Sequence, residues 1–188
     1  MDLTKLYKWL LFISSYAPLY VLVAISNYDF ALTPFVYFKD VWISGNQFIF
    51  WVTIIVLLLL SFLAIGYFKW SDLNDSIKLE GLKPMNESIL SYLITYVVPL
   101  TAMDVSSVNS LIVNVVLFLV IGIVYVNSNL VYLNILLILM GYRVYNDASD
   151  NVIITNYTKN ELTHSVRDGN NVLCKEVTRG IYLVRRSG

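Results

Sequence analysis

The chain has 188 residues, 57% of them hydrophobic and only 14% charged, with no net charge. Soluble domains carry roughly a quarter charged residues, so this composition excludes an ordinary water-soluble fold, and the charge balance excludes capture of nucleic acid or acidic substrates by a strong overall field. A single cysteine, Cys174, excludes an internal disulfide and fits a reducing compartment for the tail.

The apolar surplus is concentrated in residues 9–26, 48–68 and 105–142, none of which carries a charged side chain. Lipid is the solvent such stretches fit. Lys5 and Lys8 precede the first run, which ends in Ala24-Ile25-Ser26, a pattern shared with secretory signals. The run is long and rich in Tyr and Trp, which favours an uncleaved first span over residues 9–26, interrupted at Pro18. Residues 27–47 read as an external loop rich in aromatics: Tyr28, Phe30, Phe35, Tyr37, Phe38 and Trp42. So apolar a loop is expected to lie on the outer leaflet or pack on the bundle, where it would feel a membrane disturbance.

Span two is expected over residues 48–68. Its centre, 54–60, has no polar atom outside the backbone, and only a helix satisfies that backbone in lipid. Residues 69–87 carry Lys69, Lys78 and Lys83 against Asp72, Asp75, Glu80 and Glu87, with Gly81 and Pro84 as breakers. They read as a solvated loop with room for a short surface helix. Asn86 and Ser88 are candidate caps for a third span over 88–103, with Pro99 near its far end. Asp104 is a solvated cap before a fourth span over 108–126. Asn127-Ser128-Asn129 then breaks the pattern, and the apolar run 130–142 is short for a crossing. It reads as a juxtamembrane or partly re-entrant element; in the alternative it is the last span and 88–103 lies in the interface. Both versions have four crossings.

Lys and Arg placement orients the spans. Lys5, Lys8, Lys69, Lys78, Lys83 and Arg143 fall on one side, against Lys39 with Asp29, Asp40 and Asp104 on the other. Both termini are therefore expected in the cytoplasm of a multi-pass protein of the bacterial inner membrane. Indole rings favour the headgroup zone, and Trp9 and Trp70 on one side, Trp42 and Trp51 on the other, fall at expected interfaces.

From Arg143 onward, short runs rich in β-branched and aromatic residues recur at 142–145, 152–157, 172–177 and 181–184, with turn residues at 168–171. The fold class is thus an α-helical integral membrane protein with four transmembrane helices over 1–142, a cytoplasmic loop at 69–87, and a small β-rich cytoplasmic domain over 143–188. The tail sheet is expected to be antiparallel. Being marginal alone, it should dock on the loop, on a sister subunit or on a partner.

No constellation of catalytic, cofactor-binding or metal-ligating residues emerges. His164, the only histidine, reads as a surface loop residue, and Cys174 as a packed thiol with no activating group near it in sequence. The spans lack the titratable groups that ion-coupled transport needs. Ser14, Ser15 and Asn114 would line a pore in an oligomer, although helix-packing hydrogen bonds are the commoner use of such residues. Pro18 and Pro99 are expected to kink their helices.

The stretches 95–100 and 125–134, together with Gly141-Tyr142-Arg143-Val144-Tyr145, resemble a family of small bacterial membrane proteins, the membrane subunit of the Kiwa anti-phage defence system. The likeness extends to the layout of the whole chain. It implies a non-enzymatic sensor and anchor that assembles as a homo-oligomer, responds to phage at the envelope and holds a soluble cytoplasmic effector. That effector is itself DNA-binding; no direct nucleic-acid contact by this chain is implied. Family members often carry a proline after the asparagine of the segment that follows the last span. Here Asn134 precedes Ile135, a departure expected to lengthen the helix. A small export protein or oligomeric pore is the alternative function.

Overall fold

The computed structural model describes residues 3–31, 34–43, 45–79, 81–85, 107–167 and 172–185. The first apolar run folds as two helices, α1 (Leu3–Ser15) and α2 (Ala17–Ser26), bent by 42°. Two features put the bend at Tyr16. Ser14 and Ser15 donate their hydroxyls back to the carbonyls of Leu11 and Phe12, at 2.8 and 2.9 Å, a pairing that tilts helical carbonyls outward. Pro18 then falls in the first turn of α2, where its missing N–H leaves no helical bond unmade.

Residues 27–47 are not simply a loop. Helix α3 (Pro34–Ile43) forms there and packs on α4 (Gly45–Trp70). The Tyr37 hydroxyl donates to the Asn27 carbonyl at 2.8 Å, and the Trp51 indole donates to the Tyr37 hydroxyl at 3.1 Å. Tyr28 packs on the Tyr37 ring at 4.6 Å.

At 26 residues α4 is about 39 Å long, and the 20-residue α5 (Val108–Asn127) about 30 Å. These two helices are long and apolar enough to cross a membrane, and a third crossing is available if the bent α1–α2 pair counts as one span. The expected third span, 88–103, lies outside the described residues, as do Pro99 and Asp104. Asn129, in the left-handed region at φ 54°, turns the chain after α5. A 3-10 turn (Leu130–Tyr132) and the five-residue α6 (Ile135–Leu139) follow. At about 8 Å, α6 is far too short to cross a core of roughly 30 Å. The lengthening expected from Ile135 does not occur, because the chain turns back at Gly141 with φ 87°.

The tail is a six-stranded sheet rather than a purely antiparallel one. Its strands are β1 (Asp75–Ile77), β2 (Lys83–Pro84), β3 (Arg143–Asn146), β4 (Val152–Thr155), β5 (Val172–Thr178) and β6 (Ile181–Val184), in the order β1-β5-β6-β4-β3-β2. β4 and β6 are parallel because helix α7 (Lys159–Arg167) and β5 intervene and bring the chain back in the same direction. Thr158 and Glu161 start α7 as a reciprocal cap. The Glu161 carboxylate accepts from the Thr158 N–H at 2.8 Å, and the Thr158 hydroxyl accepts from the Glu161 N–H at 3.3 Å. The solvated stretch 69–87 gives no surface helix among its described residues. It supplies β1 and β2, which close the two edges of the sheet, pairing with β5 and β3. Short edge strands, one holding Pro84, blunt the tendency of open edges to pair with other chains.

Helices α1 and α5 meet at Gly122. A Cβ there would collide with the Trp9 ring and lie 2.7 Å from Cε1 of Phe12. Phe12 is fully buried, with the rings of Phe118, Tyr16 and Tyr125 at 4.8, 5.0 and 5.2 Å. Trp9 therefore serves a helix contact, whereas Trp42 and Trp70 are 75% and 83% exposed at opposite ends of α4. Gly122→Ala should overpack this contact and cost roughly 1–3 kcal/mol, read as a lower midpoint of thermal unfolding in detergent. Gly45→Ala, where a Cβ meets nothing within 4 Å, should leave the midpoint unchanged.

Candidate functional site

One apolar core runs from the helices into the sheet. Ile154 of β4 and Ile181 and Leu183 of β6 are buried in the same cluster as Leu11, Phe12, Ile65, Phe68 and Tyr125 of the helices. The opposite face buries Tyr145, Ile153, Cys174 and Val184 under Leu162 of α7, with Leu79 and Leu82 of the 69–87 segment. Burial on both faces is why 152–154 and 181–184 read as continuous apolar runs rather than alternating ones.

Polar contacts fix the junction where the apolar ones meet. The guanidinium of Arg185, just past β6, donates to the Ser71 carbonyl beyond the end of α4 at 2.6 Å, and the Ser71 hydroxyl donates to the Phe68 carbonyl at 3.0 Å. A helix end has carbonyls without helical partners and a partial negative charge, so a cation there suits both. The Phe68 ring meets the Tyr142 ring edge-on at 5.9 Å. Burial pushes the Tyr142 hydroxyl above its ordinary range, with Arg185 opposing the shift.

A second knot ties α6 to α1. The fully buried Asn134 side chain donates to the Leu11 carbonyl at 3.0 Å and to the Ser14 hydroxyl at 2.7 Å, and accepts from the Leu137 N–H at 3.2 Å. Lys8 donates to the Asn129 side chain. The end of α5 therefore lies beside the start of α1, at the same end of the bundle as the sheet.

Ser14 and Ser15 are buried and donate within their own helix, the helix-packing use of such residues. Asn114 donates to the Ser110 carbonyl at 2.9 Å. His164 is exposed on α7, on a helix and not the expected loop. Cys174 is buried as expected, and burial, reinforced by the Asp75 and Glu176 carboxylates, pushes its thiol up to about 11. It stays protonated at neutral pH and is a poor nucleophile. Among the described residues, no group of three or more His, Cys, Asp or Glu side chains could hold a metal ion. The junction is made of packing and helix-end hydrogen bonds.

A family model described as anti-phage protein KwaA matches residues 7–183. The chain belongs to the KwaA family. The match takes in the apolar helices and nearly all of the sheet, so the apolar part of the junction falls inside the matched residues, and Arg185 lies two positions beyond them. Membership gives the chain a part in anti-phage defence. Neither the curated proteins nor the solved structures contain a match to it.

Sequence reasoning did not find Arg185 or Asn134 as junction residues. Nothing local marks Arg185, whose partner is 114 positions away. The local signal for α7 that the sequence reading passed over is the spacing Thr158-x-x-Glu161 of a reciprocal cap.

Removing the Arg185 guanidinium should loosen the sheet from α4. Arg185→Ala is expected to cost about 1–3 kcal/mol, the range for a hydrogen bond to a charged group. Faster proteolysis within 71–85 would register the loss, and Arg185→Lys should recover part of it.

Proposed function

We propose that this KwaA-family chain is a non-enzymatic membrane sensor and scaffold of an anti-phage complex. It sits in the bacterial inner membrane with both termini in the cytoplasm, assembles with copies of itself and holds a soluble cytoplasmic effector that binds DNA. The observation that carries this reading is the shared core: membrane-length helices and the tail sheet bury the same cluster of side chains. A sheet tethered by a loose linker would not respond to the helices, whereas a sheet packed on their ends shifts when they shift, because close-packed cores do not deform continuously.

Four crossings agree with the chain path on either side of 86–106. The Met85 N–H donates to the Val144 carbonyl at the sheet, while Ser107 caps α5 at the end remote from the sheet. Met85 at the sheet and Ser107 at the remote end support the reading of 88–103, rather than 130–142, as a crossing. On the remote side, α3 with its exposed Trp42 and Ile43 supplies an apolar element suited to the outer leaflet. The sheet side carries Lys5, Lys69 and Lys175, the bias expected of a cytoplasmic face. Along α5, Ile112, Val116, Leu119, Val120 and Ile123 are exposed, a surface for lipid and for a second copy. The DNA-binding character of the effector rests on the family resemblance.

Solubilising the protein in mild detergent from cells that retain its native neighbours tests the proposal. The expected product is an assembly larger than one chain that carries a soluble protein. A lone monomer with nothing bound contradicts it.

A further inference from the structure

We propose that the corner where α1, α4 and β5 meet binds an anionic glycerophospholipid, with Lys175 as the cation for the headgroup phosphate. The inference rests on the membrane-spanning reading above, which puts this corner at the cytoplasmic headgroup level.

The corner encloses a cavity of about 340 Å³. Its lining includes the polar residues Thr4, Ser71, Tyr7, Tyr67 and Lys175. The rest is hydrocarbon from Leu6, Leu10 and Val177. The Tyr7 and Tyr67 rings meet edge-on at 5.0 Å, and the Lys175 ammonium sits over the Tyr67 ring, 5.1 Å from its centroid. Among the described residues no carboxylate pairs with Lys175. An ammonium held by a ring face keeps its three N–H donors for another partner. A cation with no carboxylate partner among the described residues, beside Tyr7, Tyr67 and Thr4, suits a phosphate diester.

The apolar part of the wall distinguishes a lipid from a free anion. Alternation along β5 puts Leu173, Lys175 and Val177 on one side of the strand and the buried Cys174 on the other. Leu173 is 60% exposed and Trp70, at the end of α4, is 83% exposed. A cation flanked by an exposed Leu and an exposed Trp matches the headgroup zone, where ring and methyl groups enter the hydrocarbon edge and the ammonium stays at the phosphates. A volume of this size takes a phosphate, its glycerol and the first methylenes of an acyl chain, with Leu6 and Leu10 leading toward the bilayer. Because one wall belongs to α1 and α4 and the other to β5, a lipid in the corner bridges helices and sheet.

The test is native mass spectrometry of the full chain released from nanodiscs of phosphatidylcholine doped with phosphatidylglycerol. Wild type is expected to retain phosphatidylglycerol and not phosphatidylcholine. Lys175→Gln should lower retention about fivefold, the scale of one lysine at an anionic lipid surface, and Lys175→Arg should keep it. Equal retention by Lys175→Gln and wild type, or equal retention of the two lipids, overturns the proposal. Displacement of the lipid by millimolar inorganic phosphate overturns it too, by assigning the corner to a free anion. Resistance of the wild type to alkaline carbonate extraction reads the spanning claim separately, since the lipid claim is scored on the difference between the Gln and Arg variants.

Discussion

A twisted sheet buries apolar side chains on both faces only if both faces are covered. In this molecule α7 covers one face, with Leu162 and the chain around Leu79 and Leu82. The other face is covered by the ends of helices long enough to cross a membrane. Among the described residues the sheet has no other cover for Ile154, Ile181 and Leu183, so its folding depends on the bundle. The edges impose the same dependence, because β1 and β2 come from the segment that leaves α4. Strands from 69–87 and from 143–185 thus interlock around a common centre.

This dependence gives the KwaA-family chain a physical route from the helices to the sheet. The route has few moving parts: α4 runs the full length, Arg185 holds its far end, and Asn134 and Lys8 hold the chain after α5 to α1. A tilt of α4 or α1 therefore changes the footing of β4 and β6. The bend at Tyr16 and the close approach at Gly122 are the places where helices are already shaped to one another, so they set which displacements are cheap.

Long apolar segments announced themselves in the sequence because their signal is local and strong: 48–68 and 108–126 appear as α4 and α5, and 9–26 as the bent α1–α2 pair. Strand-like runs were legible at 142–145, 152–157, 172–177 and 181–184 for the same reason, within one or two residues of β3, β4, β5 and β6. Pairing was not legible. The parallel contact of β4 with β6 requires α7, whose polar sequence looked like a loop, and the capping residues Thr158 and Glu161 were its one clear sign. β1 and β2 are too short and polar to register as strands by alternation; only their partners in β5 and β3 make them strands. Junction residues such as Arg185 and Asn134 join positions more than a hundred apart, and no local pattern encodes that. The solvated reading of 69–87 was right about its charge and missed its role, since backbone pairing at a sheet edge needs no apolar side chain.

The central claim, that helices and sheet share one core, is tested most directly by native-state hydrogen exchange on the full chain in nanodiscs. The account predicts that the amides of β4 and β6 open together with the last turns of α4, with a common free energy. A sheet that opens independently, at a lower free energy than those turns, would contradict it.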